Sequence, residues 1–121
     1  MNDFEKKSDN LHKENKNDDC FKIIALGGDA KSKIQEALVM IKERNYAEVD
    51  QLLNDAAKNI TQARNIQHKL LTKEIRDNNV MPSILLNHAM DILITAESEI
   101  GLVNFIYPCL KELEENISKR D

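Results

Sequence analysis

Four polar residues in the C-terminal third, His88, Asp91, Thr95 and Ser98, follow one another at spacings of three, four and three. Those intervals set them along one stripe of a helix, beside an apolar seam. A neutral imidazole can attack phosphorus and carry the phosphoryl group as a labile N–P bond. A carboxylate one turn away is costly to bury alone, so Asp91 must reach water, a cation, or its own copies around a shared metal on a symmetry axis. A bare His-x-x-Asp pair on a helix serves structure more often than chemistry, and the elements that present it decide between the two.

Those elements are helices. The chain has 121 residues with only three Gly, two Pro and no Trp, so turns are few. A chain of this length builds at most one core. A net charge of −4 and 4% aromatic residues leave neither a basic field for a phosphate backbone nor stacking platforms, which excludes nucleic acid as the expected partner. No apolar run approaches the roughly twenty residues that cross a bilayer, and residues 1–19 lack the apolar middle of a secretory signal. The expected location is therefore the cytoplasm, with no direct membrane insertion. Cys20 and Cys109 have neither metal-ligand spacing nor the density of a disulfide framework, and read as reduced, inert thiols.

Residues 1–17, almost wholly charged or amide side chains, predict a mobile polar tail that includes His12, and residues 18–121 the folded domain. From Phe21 the apolar residues return at the helical period, predicting helix one over about 19–43, capped by Asp18 or Asp19. Gly27 and Gly28 inside it would each weaken an isolated helix by roughly 1 kcal/mol, which close approach of a neighbouring backbone can offset. Helix two carries a heptad seam, Val49, Leu53, Ala56, Ile60, Ala63, Gln67 and Leu70. Gln67 needs hydrogen-bond partners there, either as a register-fixing amide or as a functional one. After the break at residues 77–82, Pro82-Ser83 opens helix three on the seam Leu85, Ala89, Ile92, Ala96, Ile100, Val103, Ile106, Leu110, Leu113 and Ile117, with a kink expected near 104–108 at Pro108. The result is an all-α, antiparallel three-helix bundle, and three long helices leave apolar surface that self-association would cover.

The segment Leu86-Asn87-His88-Ala89-Met90-Asp91-Ile92-Leu93-Ile94-Thr95 resembles the His-Ala-Gln-Asp-His-Leu-Met-Thr signature of the lactose/cellobiose-family IIA proteins of the bacterial phosphoenolpyruvate-dependent sugar phosphotransferase system. Gly28-Asp29-Ala30-Lys31-Ser32 is similar to that family's Gly-Asp-Ala-Arg-Ser region in helix one. Asn45-Tyr46-Ala47-Glu48-Val49-Asp50 is similar to its helix-two opening, and Ala63 to Leu71, with Gln67, to its Ala-His-x-x-Gln-Thr-x-Leu segment. The likeness runs in order over about residues 20–117.

The resemblance implies a homotrimeric nine-helix bundle with three copies of Asp91 around one divalent cation, usually Mg2+, on the axis. It also implies a phosphoryl carrier of the transferase class, in which His88 takes phosphate from HPr and passes it to a cysteine of a cognate IIB protein for a β-linked disaccharide such as cellobiose, chitobiose or lactose. His88, Ala89, Asp91, Leu93, Thr95 and Gln67 match the family pattern. Met90, Ile92, Arg64 and His68 depart from it, each standing where the family has Gln, His, His and Thr. Arg64 is either a solvated cation or a phosphate clamp, and His68 either a surface residue or a source of charge. These departures would equally suit a regulatory or binding module on the same trimeric scaffold that has lost efficient transfer. A histidine-containing transfer domain of two-component signalling ranks below both, because nothing like that family's Lys-Gly pattern follows His88.

Overall fold

The computed structural model describes residues 2–80 and 83–120. Pro82, expected to open helix three, and the side chain of His12 lie outside the described residues. Three helices, α1 (Asp3–Lys42), α2 (Val49–Arg76) and α3 (Ile84–Arg120), make up the fold, with no strand among the described residues. Cross-links fix their directions. Lys16 meets Glu74 at 2.5 Å and Asp29 meets Asn59 at 2.5 Å, so α1 and α2 are antiparallel. Gly27 lies against Ile92 and Lys31 reaches Thr95, so α1 and α3 run the same way. The bundle is the expected up-down-up arrangement.

Local chemistry accounts for the ends of the helices. After α1, Arg44 N–H donates to Ile41 O and Asn45 N–H to Met40 O, with Arg44 at φ 59°. After α2, Asn78 N–H donates to Ile75 O and Asn79 N–H to Glu74 O, with Asn78 at φ 52°. Both are Schellman closures, in which a left-handed residue turns the chain back onto the orphan carbonyls. Ser83 Oγ accepts from Leu86 N–H at 3.1 Å and caps α3, which settles the helix a few residues ahead of His88.

Every residue of the expected α2 seam, Val49 through Leu70 and including Gln67, is buried, and Glu74 extends it. The other two helices correct the sequence reading. α1 begins at Asp3 rather than near 19, capped by Asn2 and Glu5 in a capping box instead of by Asp18 or Asp19. Nothing in residues 3–18 breaks a helix, so polarity there governs burial and not conformation: Cys20 is the first buried residue among those described. On α3, Leu86 and Leu93 are buried while Leu85 and Ile92 are only half-buried. Each of those turns offers two adjacent apolar residues, and the second of each pair faces the core. Beyond Val103 the expected seam leaves the core altogether. Tyr107 is buried, whereas Ile106, Leu110, Leu113 and Ile117 are exposed. With Gly27 opposite Ile92, Lys42 is level with Tyr107, so no part of α1 reaches the last turns of α3. α3 continues as helix through Pro108, which therefore does not end it.

Candidate functional site

α3 has three distinguishable sides besides its core seam. Lys31 of α1 donates to Thr95 Oγ1 at 2.9 Å and pairs with Glu99 at 2.5 Å, which marks the flank facing α1. Arg64 of α2 pairs with Glu97, which marks the flank facing α2. Between them, away from the core, Asp91 shares an outward face with Ile84, Ile94, Ser98, Leu102 and Phe105. Ile84 is 90% exposed and Phe105 76%, an arrangement that leaves large apolar side chains in water on either side of a carboxylate.

His88 lies seven residues before Thr95 and so emerges on the α1 flank. It is exposed, and its ring makes no hydrogen bond or ion pair to another described residue. The Asp91 carboxylate is likewise exposed and free of described partners, while its backbone carbonyl accepts from the Thr95 hydroxyl at 2.7 Å. His88, Asp91 and Thr95 all face solvent. Gln67 is buried in the α2 seam and accepts from Arg64 Nη1 at 3.1 Å, so its amide has the partner a core amide requires.

No hydrogen bond or ion pair joins Arg64, Gln67 or His68 to the His88 of the same chain. Arg64 is held by Glu97 and Gln67, and Glu97 stands nine residues beyond His88, about 13 Å along the helix. His68 is exposed on α2. Met90 and Ile92, where the sequence departs from the signature, are half-buried and pack toward the core.

Residues around Gly28 act as struts that sequence reasoning did not resolve. Asp29 Oδ2 accepts from Lys33 at 2.6 Å and from Asn59 at 2.5 Å, tying α1 to α2. Those two bonds, the Lys33 one foremost, hold its carboxyl below the ordinary carboxylate range. Lys31, two residues on, ties α1 to α3. Gly27 supplies the close approach: a Cβ there would lie 2.7 Å from Ile92 Cγ2, whereas one on Gly28 would meet nothing within 4 Å. The partners Glu97 and Glu99 had no local signal beyond flanking the α3 seam.

Among the described residues no three His, Cys, Asp or Glu side chains of one chain converge as a metal site, so a cation at Asp91 would need carboxylates from other copies. The cleft of about 620 Å³ between α1 and the end of α2 is lined by Lys13, Lys16, Lys69, Lys73 and Glu74 but not by His88. His88 stands on open surface.

Over residues 18–111 the chain matches the family described as the lactose/cellobiose specific IIA subunit of the PTS system. It is 35% identical over 75 residues to the lactose-specific EIIA component of Staphylococcus aureus (strain N315), covering 62% of this chain and 73% of that one. To the lactose-specific EIIA component of Streptococcus mutans serotype c it is 36% identical over 75 residues, covering 62% and 72%. The crystal structure of the PTS cellobiose specific enzyme IIA from Bacillus anthracis superposes with a TM-score of 0.74 at 32% identity, over 81% of this chain and 90% of that one. A three-helix bundle that presents His88 and Asp91 within that matched span belongs to the lactose/cellobiose-specific IIA family of the sugar phosphotransferase system.

Proposed function

We propose that this chain is a cytoplasmic phosphohistidine carrier in β-linked disaccharide uptake, with His88 as the residue that is phosphorylated. The observation that carries the reading is the solvent-facing, unpartnered imidazole of His88 on the family signature. A carrier must offer the same nitrogen to two proteins in turn, and an open helix face allows both to dock. In the first step a neutral ring nitrogen of His88 attacks the phosphorus of phosphohistidine on HPr in line. The N–P bond to HPr breaks as the one to His88 forms. A cysteine thiolate of the cognate IIB then attacks phosphorus and returns the electron pair to His88.

The outward face of α3 supports a trimeric assembly. Three copies related by a threefold axis would bury Ile84, Ile94, Leu102 and Phe105 together and bring three Asp91 carboxylates to the axis. Three hard oxygen donors suit a cation such as Mg2+, which would neutralise charge that could not otherwise be buried. No step of the transfer needs that ion. In such an assembly the α2 flank of one copy would face the α1 flank of the next.

A second reading, a regulatory module on the same scaffold, draws on Arg64 being committed to Glu97 and Gln67 instead of free to bind phosphate. Phosphoryl transfer from HPr separates the two. The carrier is labelled and loses the label in His88→Ala, whereas the regulatory module binds IIB without turnover.

A further inference from the structure

Two ion pairs sit on opposite flanks of α3 at nearly one height. Lys31 with Glu99 lies on the α1 flank, and Arg64 with Glu97 on the α2 flank. Their α3 anchors, Thr95, Glu97 and Glu99, lie within four residue steps, about 6 Å of axial rise. None of the four side chains is fully covered: Lys31 and Glu99 are 32% and 43% exposed, Arg64 and Glu97 41% and 35%. Each carboxylate and each cation thus has capacity left for a second partner.

Rotational symmetry keeps heights equal and joins unlike patches, the left side of one copy to the right side of the next. With the outward face of α3 turned to the axis, the α1 flank of each copy meets the α2 flank of its neighbour. We infer that Lys31 and Glu99 of one copy and Arg64 and Glu97 of the next close into an alternating four-charge cluster at each subunit interface, so that this chain locks electrostatically onto second copies of itself. Arg64 turns toward the neighbour's Glu99, and Lys31 toward the neighbour's Glu97. Arg64 departs from the resembled family pattern, which has His there, whereas Lys31 keeps the positive charge of that pattern's Arg, so the Arg64 half of the lock is particular to this chain. It rests on the trimer proposed above, and it flanks the apolar face of Ile94, Leu102 and Phe105, whose burial against the next copy would shield the paired charges in part.

Sedimentation of the full-length protein tests the lock, with helicity recorded alongside. Arg64→Glu combined with Glu97→Arg restores the pair inside each chain but sets like charges against the neighbour's Glu99 and Lys31. That variant is expected to fold as the parent does and to need about tenfold more protein to assemble. Adding Lys31→Glu and Glu99→Lys restores every pairing across the interface and is expected to recover parental assembly. If Arg64→Glu with Glu97→Arg lowers helicity, the reciprocal Lys31→Glu with Glu99→Lys makes the same test from the other flank. A folded two-site variant that assembles as the parent does overturns the lock and leaves the trimer standing. A parent that stays monomeric at low salt overturns the trimer itself, and the lock with it.

Discussion

Gly27 and Gly28 are adjacent, both lie in the interior of α1, and the structure separates them sharply. Replacing either by Ala gains about 1 kcal/mol of helix propensity. At Gly28 nothing opposes that gain, because a Cβ would meet no atom within 4 Å. At Gly27 the new methyl would lie 2.7 Å from Ile92 Cγ2. That atom is a branch on Cβ, and a β-branched side chain in a helix holds one rotamer, so it cannot swing aside. α1 and α3 must then part locally, an overpacking cost of about 1–3 kcal/mol. Gly28→Ala is expected to be more stable than the parent by up to about 1 kcal/mol, and Gly27→Ala to fall below Gly28→Ala by about 1–3 kcal/mol. Urea denaturation followed by helicity measures both, at one protein concentration because self-association adds to apparent stability. Equal stabilisation by the two substitutions would refute the contact between Gly27 and Ile92, and with it the α1–α3 spacing beside His88.

Other perturbations follow from the same structure. Arg44 is held at φ 59°, where a side chain costs roughly 1–2 kcal/mol, so Arg44→Gly is expected to raise the melting temperature by several degrees. Asn78→Gly should change it much less, since Asn tolerates that region, and equal gains would contradict the Schellman reading. Burial pushes the Cys20 thiol above its ordinary pKa, against a smaller opposing effect of Lys16. The folded state then holds a proton that the unfolded chain releases, so stability is expected to fall as pH rises past about 9. In a Cys109→Ser background, Cys20 should react with a small thiol reagent only as fast as the protein unfolds. Residues 3–13 form helix that extends past the end of α2 with every described side chain exposed, and helix without tertiary burial is marginal. Hydrogen exchange there is expected to be fast compared with residues 20–40, and protection equal to the core would show that the extension is held by another copy.

How far the sequence could be read depended on how many apolar residues each turn offered. α2 has one buried position per turn at alternating steps of four and three, so its seam, including Gln67, was legible to the residue. α3 offers Leu85-Leu86 and Ile92-Leu93, a choice worth 100° of rotation, and the pattern alone does not make it. Its last apolar stripe, Ile106 to Ile117, is real as a pattern but has no partner within the chain, so burial could not be read from it. The polarity of residues 1–17, from which a mobile tail is expected, foretells their exposure but says nothing against helix, and α1 starts at Asp3. His88 and Asp91 stood out through their spacing. The struts Lys31–Glu99 and Arg64–Glu97 did not, because their partners are 68 and 33 residues apart and nothing local marks them.

The central claim is that His88, and no other residue, carries phosphate. The direct measurement is transfer from phosphoenolpyruvate through enzyme I and HPr to the full-length chain, read by intact mass, with the label located among His12, His68 and His88. One phosphoryl group on His88 is expected in the parent and in His68→Ala, with none in His88→Ala, and the label should leave when the cognate IIB is added. A parent that stays unlabelled beside an active HPr, or a His88→Ala protein labelled as fully as the parent, would contradict it.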